Sequence, residues 1–240
     1  MLKLDRAGVP LIVVLNLCIA VASDASEPIK LYSGKAHAWA IKFSNDAETQ
    51  LHNGDLDGAA RNIAEALRRD PTYWPALYTR AKIFSREGKW DLALRDCNEI
   101  MRQASTFVPA ALLRAQTNVK LGNYAVASKE LDHVVAIEPI PQYYAMAFNQ
   151  RAWFRATCPN PSFRKPQQAI EDAKKACSIT QWREADSIDT LAVACAESGD
   201  FESAVRYVEK AMQAYDAAEM TKTLQQHLAM FKQQRRVTAR

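Results

Sequence analysis

Glycine is scarce in this chain, and the sequence motifs of catalytic and metal sites are missing. Only seven of the 240 residues are glycine, which argues against a β-sandwich and against a disordered chain. No glycine-rich phosphate loop, nucleophile motif, Cys-x-x-Cys pair or metal-binding histidine spacing occurs. The four histidines are scattered through different predicted elements. The sequence therefore predicts no enzyme activity, no catalytic residue, no metal and no cofactor.

An excess of charge of one sign is also missing. The formal net charge is +4, from 31 basic and 27 acidic residues, and the two signs are interspersed along the chain. A nucleic-acid-binding surface would need basic residues gathered on one face. The one basic cluster lies near position 240, where it is typical of a solvated tail. We therefore expect no nucleic-acid partner.

Long apolar runs are missing as well, because the one near the start is too short for an ordinary membrane span. Lys3 and Arg6 precede this run, which closes on a small-x-small pattern ending at Ala22. That order is typical of a secretory signal peptide. We expect residues 1–22 to be removed, with cleavage near Ala22 or Ala25, and the mature chain to be periplasmic or secreted. An uncleaved anchor is the alternative.

The strongest pattern present is a repeat of 34 residues. Three glycines stand at this interval, and two sets of alanines follow the same interval: Gly54, Gly88 and Gly122; Ala47, Ala81 and Ala115; Ala59, Ala93 and Ala127. Each unit reads as a helix, a glycine turn and a second helix. The alanines allow the paired helices to approach closely. One pair cannot bury its apolar face alone, so neighbouring pairs must stack.

This pattern resembles the tetratricopeptide repeat (TPR) family over residues 40–216. The resemblance implies an all-α fold, a right-handed α-solenoid of about five TPR helix pairs with a C-terminal capping helix. The predicted segments are a polar lead-in at 23–39, repeats at about 40–73, 74–107, 108–141, 142–182 and 183–216, and a capping helix with a basic tail at 217–240. The apolar stripe of that last helix comprises Met220, Leu224, Leu228 and Phe231.

The fourth unit departs from the repeat, because a proline-rich loop replaces its glycine turn. Its Ala-Thr-Cys-Pro at 156–159 and the later Ala176-Cys177 resemble a variant repeat of exported bacterial TPR proteins. Cys158 ends the first helix of this unit, and Cys177 lies on the second helix, across the loop. In an oxidising compartment they are candidates for a disulfide, and two packed thiols are the alternative.

Oppositely charged residues recur at matching positions of three repeats. An arginine precedes the small residue of three first helices, and a carboxylate stands at the matching place on each second helix. The predicted ion pairs are Arg80 with Asp96, Arg114 with Glu130, and Arg151 with Asp172. We expect them to be structural and partly exposed, and to contribute ~0.2–1 kcal/mol each.

The TPR resemblance implies that a protein or peptide partner binds in a concave groove, without catalysis. The predicted groove residues lie on the first helices, one turn from the packing positions: Tyr78, Lys82, Arg86, Leu112, Gln116, Lys120, Asn149 and Trp153. Their aromatic, cationic and amide groups favour an extended peptide with some acidic character. For Trp153, packing beneath the loop at 159–166 is the alternative. The second functional hypothesis is a self-associating structural or envelope-assembly subunit.

Overall fold

The computed structural model describes residues 35–137, 140–214 and 217–238, in which the regular secondary structure is helical. The predicted signal peptide and both cleavage positions lie outside these ranges. The helices are α1 (Lys35–His52), α2 (Leu56–Arg69), α3 (Trp74–Arg86), α4 (Trp90–Gln103), α5 (Val108–Lys120), α6 (Tyr124–Ala136), α7 (Pro141–Thr157), α8 (Pro166–Ile179), α9 (Ala185–Ser198), α10 (Phe201–Ala211) and α11 (Ala217–Lys232). Among the described residues, no helix combines the length and apolar character that a membrane span requires.

The first helix begins earlier than the sequence predicts. Its start at Lys35 takes in five residues assigned to the polar lead-in. Contacts with the end of α2 explain the extension: His37 Nδ1 lies 3.0 Å from Asp70 Oδ2, and the Arg69 guanidinium lies 5.9 Å from the centre of the Trp39 ring.

Left-handed glycines join the helices of the regular pairs. Gly54, Gly88 and Gly122 have φ values of 81°, 73° and 80°, a region that disfavours side chains with a Cβ. The amide of Asp55 donates to the carbonyl of Gln50 at 2.9 Å, which satisfies an unpaired carbonyl at the end of α1. The predicted glycine turns are therefore present at their 34-residue interval.

The chain forms two compact units, the first of which ends at Thr117. In this unit α1 packs on α2 and α3, and α3 packs on α2 and α4. Alanines at the helix contacts are fully buried, and larger residues fill the space around them. The core includes Ala40, Ala47, Ala59, Ile63, Ala66, Leu77, Ile83 and Ile100.

The second unit begins at Asn118 and is organised around α9. This helix packs on α7, α8, α10 and α11, and nearly all of its residues are buried. Leu224 and Phe231 of α11 are buried against it, whereas Met220 and Leu228 are partly buried. This is the contact that the apolar stripe of α11 predicts for a capping helix.

The irregular fourth pair has a structured loop between α7 and α8. A short 3-10 helix covers Pro161–Phe163, and the Phe163 ring lies 6.1 Å from the Phe154 ring. Arg164 Nε donates to the carbonyl of Cys158 at 2.8 Å. Cys158 and Cys177 are both buried and not bonded to each other. The structure thus contains the packed-thiol alternative and no disulfide between these two residues.

Candidate functional site

The predicted groove cations of the first unit are engaged by the chain itself. Lys82 Nζ lies 2.6 Å from Glu48 Oε2 and 5.1 Å from the centre of the Tyr78 ring. Arg86 Nη1 donates to the carbonyl of Leu51 at 3.0 Å. Both cations therefore hold α3 against α1. An acidic peptide would have to displace Glu48 to reach Lys82.

Leu112 of α5 was wrongly placed among the groove residues. Its side chain is 1% exposed and belongs to the core. Val108 and Ala115, four residues before and three residues after it, are also buried, so this face of α5 is the packing face. Gln116 and Lys120, one and two turns further on, are exposed.

An exposed stripe follows α7 in the second unit. Met146 and Trp153 are each 39% exposed, and Asn149 lies between them. Their spacing of three and four residues places all three on one face of the helix. The Trp153 side chain stays 39% exposed, and the loop residue Phe163 places its ring 6.1 Å from the ring of Phe154. The exposed alternative for Trp153 is therefore the one that the structure contains.

Asn149 carries a buried acceptor that lacks a donor. Its side chain is 9% exposed, and Nδ2 donates to Asp186 Oδ2 of α9. Because a carboxylate only accepts, this contact orients the amide and points Oδ1 away from Asp186. Among the described residues, no donor reaches that oxygen. A buried acceptor without a partner costs about 1–3 kcal/mol, so a donor from a ligand would be favourable.

We call Met146, Asn149, Trp153 and Asp186 the α7 surface. It combines two exposed apolar side chains with one unsatisfied amide oxygen, and the exposed carboxylate of Asp186 lies at its edge. The predicted groove residues include Asn149 and Trp153 but not Met146 or Asp186. Met146 stands three residues before Asn149 on the same face, and that spacing could have identified it.

Two of the predicted arginine–carboxylate contacts are present, and their carboxylates are buried. Arg80 Nε and Nη2 donate to the two oxygens of Asp96 at 2.7 and 2.8 Å. Arg151 Nε and Nη2 donate in the same way to Asp172 at 2.9 and 2.7 Å. Burial alone lowers the pKa of Arg151, but its hydrogen bond to Asp172 and the nearby negative charges outweigh burial and raise that pKa. The two carboxylates are buried, whereas the Arg80 side chain is about one third exposed, and the predicted contribution of ~0.2–1 kcal/mol for each pair stays a prediction.

The third pair stays a prediction. Arg114 belongs to the first unit, where Nη1 donates to Asn98 Oδ1 at 3.3 Å. Glu130 belongs to the second unit and is buried.

Arg155 adds a contact that the recurring charge pattern missed. Its Nη1 lies 2.8 Å from Asp172 Oδ2, and its Nη2 lies 2.8 Å from Asp132 Oδ1. Arg155 follows Arg151 by one helical turn, a spacing that places both on one face of α7. The two arginines join α6, α7 and α8 within the second unit.

A buried histidine–carboxylate contact was also missed. His227 Nδ1 of α11 lies 2.8 and 2.9 Å from the two oxygens of Asp189 on α9. Both side chains are buried. His227 stands three residues after Leu224 and four before Phe231, so the apolar stripe of α11 contained the signal for its burial. It fixes α11 on the second unit and is not exposed to a ligand.

Burial keeps two of the cysteines in the thiol form. Burial raises the pKa of the Cys177 thiol to about 12 and that of Cys195 to about 11. At neutral pH both are therefore protonated, and a thiol is a poor nucleophile and metal ligand. Within the described ranges, no group of three or more His, Cys, Asp or Glu side chains is arranged to hold a metal ion.

Comparison with known proteins shows the fold. No protein-family model and no curated protein matches the chain. Among solved structures, a thermophilic TPR protein of Thermus thermophilus is 15% identical over 79% of this chain and 99% of that one, with a TM-score of 0.64. PilF of Pseudomonas aeruginosa is 15% identical over 84% and 92%, with a TM-score of 0.63. MamA of Desulfovibrio magneticus is 19% identical over 75% and 95%, with a TM-score of 0.54. These similarities confirm the predicted all-α, TPR-like repeat fold.

Proposed function

We propose that this protein is an exported, non-catalytic TPR-type scaffold that binds an extended segment of a protein partner at the α7 surface. The observation that carries the proposal is the buried Oδ1 of Asn149, to which no group in the described residues donates a hydrogen bond. Asn149 stands between two exposed apolar residues, Met146 and Trp153. Repeat solenoids form extended concave surfaces that such contacts can use. The similarity to TPR proteins supports binding in general, and the α7 surface supplies the location.

The chemistry of the α7 surface indicates how a partner would be held. Asn149 Oδ1 is buried in the free chain, so binding of an extended segment must expose this oxygen before a backbone N–H can donate to it. Trp153 and Met146 offer a large aromatic face and an adaptable thioether, residue types that are enriched at protein interfaces. Asp186 adds a negative charge at the edge. A segment with apolar side chains and a neutral or basic character therefore fits better than the acidic peptide that the sequence favoured.

Affinity capture from the envelope fraction of the native cell tests this proposal with single variants. Trp153→Glu and Asn149→Leu should lose the captured partner, because one reverses the polarity of the surface and the other removes the acceptor. Val126→Glu is the matched control, since Val126 of α6 is exposed and lies outside the α7 surface. Circular dichroism should show wild-type helicity for all three. If both α7 variants capture the partner as well as the control does, the proposed surface is wrong.

Export is the second part of the proposal and is supported by the pattern of residues 1–22. Cell fractionation followed by N-terminal sequencing measures it. We expect the mature chain outside the cytoplasm, beginning at Ser23 or Ser26. An unprocessed chain that fractionates with the cytosol would refute export.

Self-association is the competing function, and one exposed residue favours it. Trp39 of α1 is exposed, and its ring stacks on Phe43 with centres 5.8 Å apart. Lys42 Nζ lies 5.1 Å from the same ring. Light scattering across a hundredfold range of concentration separates the hypotheses. A mass that rises in the wild type but not in Trp39→Glu would support self-association, and a constant monomer mass would exclude it.

A further inference from the structure

Thr238 docks against a buried carboxylate of the second unit. Glu197 of α9 is 5% exposed. Its Oε1 accepts from the backbone amide of Thr238 at 3.0 Å, and its Oε2 accepts from the Thr238 hydroxyl at 2.6 Å. Arg164 Nη1 lies 3.4 Å from the same hydroxyl oxygen. Thr238 is thus held through its backbone and its side chain together.

The groups that hold Thr238 belong to other elements of the unit. Glu197 lies on α9, which is buried along nearly its whole length. Arg164 lies in the loop after α7, where Nε donates to the carbonyl of Cys158 at 2.8 Å and Nη2 to that of Pro159 at 3.4 Å. We call Glu197 and Arg164 the Glu197 site. The Arg164 side chain is positioned by contacts that do not involve the segment that fills the site, and Glu197 lies on the buried helix α9.

The segment that fills the site is attached by few contacts. Helix α11 ends at Lys232, and Gln234 then turns the chain with a φ of 53°. The Arg235 amide donates to the carbonyl of Met230 at 2.9 Å, which closes this turn. Residues 232–236 are exposed, whereas Val237 and Thr238 are half-buried. Docking therefore depends on two residues at the end of an exposed connection.

We propose that the Glu197 site is a peptide-binding site that residues 237–238 occupy in cis. An extended segment of another protein, with a small apolar residue followed by threonine or serine, would bind there by exchange. Release of Thr238 removes both donors from a buried carboxylate, a costly state that favours replacement by an equivalent pair of donors. Threonine and serine offer a hydroxyl donor beside their own amide. This inference goes beyond the proposed function and does not depend on the α7 surface.

A partner peptide must compete with residues 237–238, which are attached to the same chain. A segment on a short tether competes at an effective concentration of roughly millimolar. A weak peptide will therefore bind poorly to the wild-type chain, even where the site is competent. Weakening the tethered segment should reveal the site.

Fluorescence anisotropy of a labelled peptide tests the exchange. The probe is Gln-Gln-Arg-Arg-Val-Thr, the sequence of residues 233–238, acetylated and amidated, added to the full chain. Thr238→Val in the full chain removes one hydrogen bond from its own segment, a change of about tenfold or more in competition. We expect the probe to bind the Thr238→Val chain at least about tenfold more tightly than the wild type. A probe that ends in valine instead of threonine should bind the Thr238→Val chain about tenfold more weakly than the threonine probe does.

Two further measurements test whether a peptide can replace residues 237–238 or whether these residues are a fixed part of the fold. Glu197→Gln, introduced into the Thr238→Val chain, should weaken the probe by about tenfold, because the charged acceptor is lost. Should that variant fail to fold, the valine probe alone decides specificity. Equal binding to the wild type and Thr238→Val, or binding to neither, would overturn the proposal and leave residues 237–238 as a structural clip.

Discussion

Replacing Arg80 with methionine tests how much the buried carboxylates depend on their arginines. Both oxygens of Asp96 accept from Arg80, at 2.7 and 2.8 Å. The Asp96 side chain is almost fully buried, and that of Arg80 is about one third exposed. Methionine keeps most of the aliphatic volume of arginine but removes the cation and its donors. The variant therefore isolates the loss of the partner from the loss of packing.

The expected cost is several times that of a surface ion pair. Removing one partner of a fully buried pair costs ~3–5 kcal/mol. Because Arg80 is partly exposed, water can replace some of its hydrogen bonds, and we expect about 2–3 kcal/mol. Arg102 with Glu99 is the matched control: its contact is 2.6 Å, but the Arg102 side chain is largely exposed. Arg102→Met should cost less than about 1 kcal/mol.

Urea unfolding followed by circular dichroism at 222 nm measures both variants. In thermal unfolding of the same variants, a cost of about 2–3 kcal/mol corresponds to a fall of roughly 4–12 °C in Tm for a chain of this size. The double variant Arg80→Met with Asp96→Leu should recover most of the loss, since it leaves no buried charge. If Arg80→Met costs no more than Arg102→Met, the buried carboxylate does not need its arginine, and the argument fails.

Three other predictions follow from single sites. Because burial raises the pKa of Cys177 to about 12, iodoacetamide at pH 8 should label this thiol only after unfolding, as mass spectrometry without reductant can show; rapid native labelling would contradict it. Gly88→Ala should lower the free energy of unfolding by about 1–2 kcal/mol, since its φ is 73°; an unchanged urea midpoint would contradict that strain. Burial alone would raise the pKa of Asp70, but hydrogen bonds from His37 and Thr72 outweigh burial and hold that pKa below its usual range. The stability that Asp70 contributes is present above its unfolded pKa of about 3.9 and is lost as pH falls through its folded pKa. Between pH 5 and 3, the urea midpoint of Asp70→Asn should therefore change less than that of the wild type.

The repeat architecture was predictable because its signals are local and periodic. Gly54, Gly88 and Gly122 need a left-handed backbone that few residues adopt, so their spacing marks the turns directly. The burial of the apolar stripe of α11 was equally predictable, since Leu224 and Phe231 follow a helical period.

The binding residues were less predictable because their state depends on neighbours far along the chain. Lys82 has the spacing of a surface residue, yet Glu48 of α1 engages it across 34 positions. Asn149 has an unsatisfied acceptor only because Asp186, 37 positions later, takes its amide. Leu112 was predicted wrongly for a different reason: it was placed one turn from the packing positions, but Val108 and Ala115 on the same face of α5 are buried with it.

The dissociation constant of the captured partner for Trp153→Ala tests the central claim most directly. Aromatic anchors at protein interfaces typically account for about 2 kcal/mol or more of binding free energy, which is about thirtyfold in Kd. We predict a rise of at least tenfold for Trp153→Ala and of less than twofold for Val126→Ala, measured by isothermal titration calorimetry on chains of equal helicity. An unchanged Kd for Trp153→Ala would contradict binding at the α7 surface.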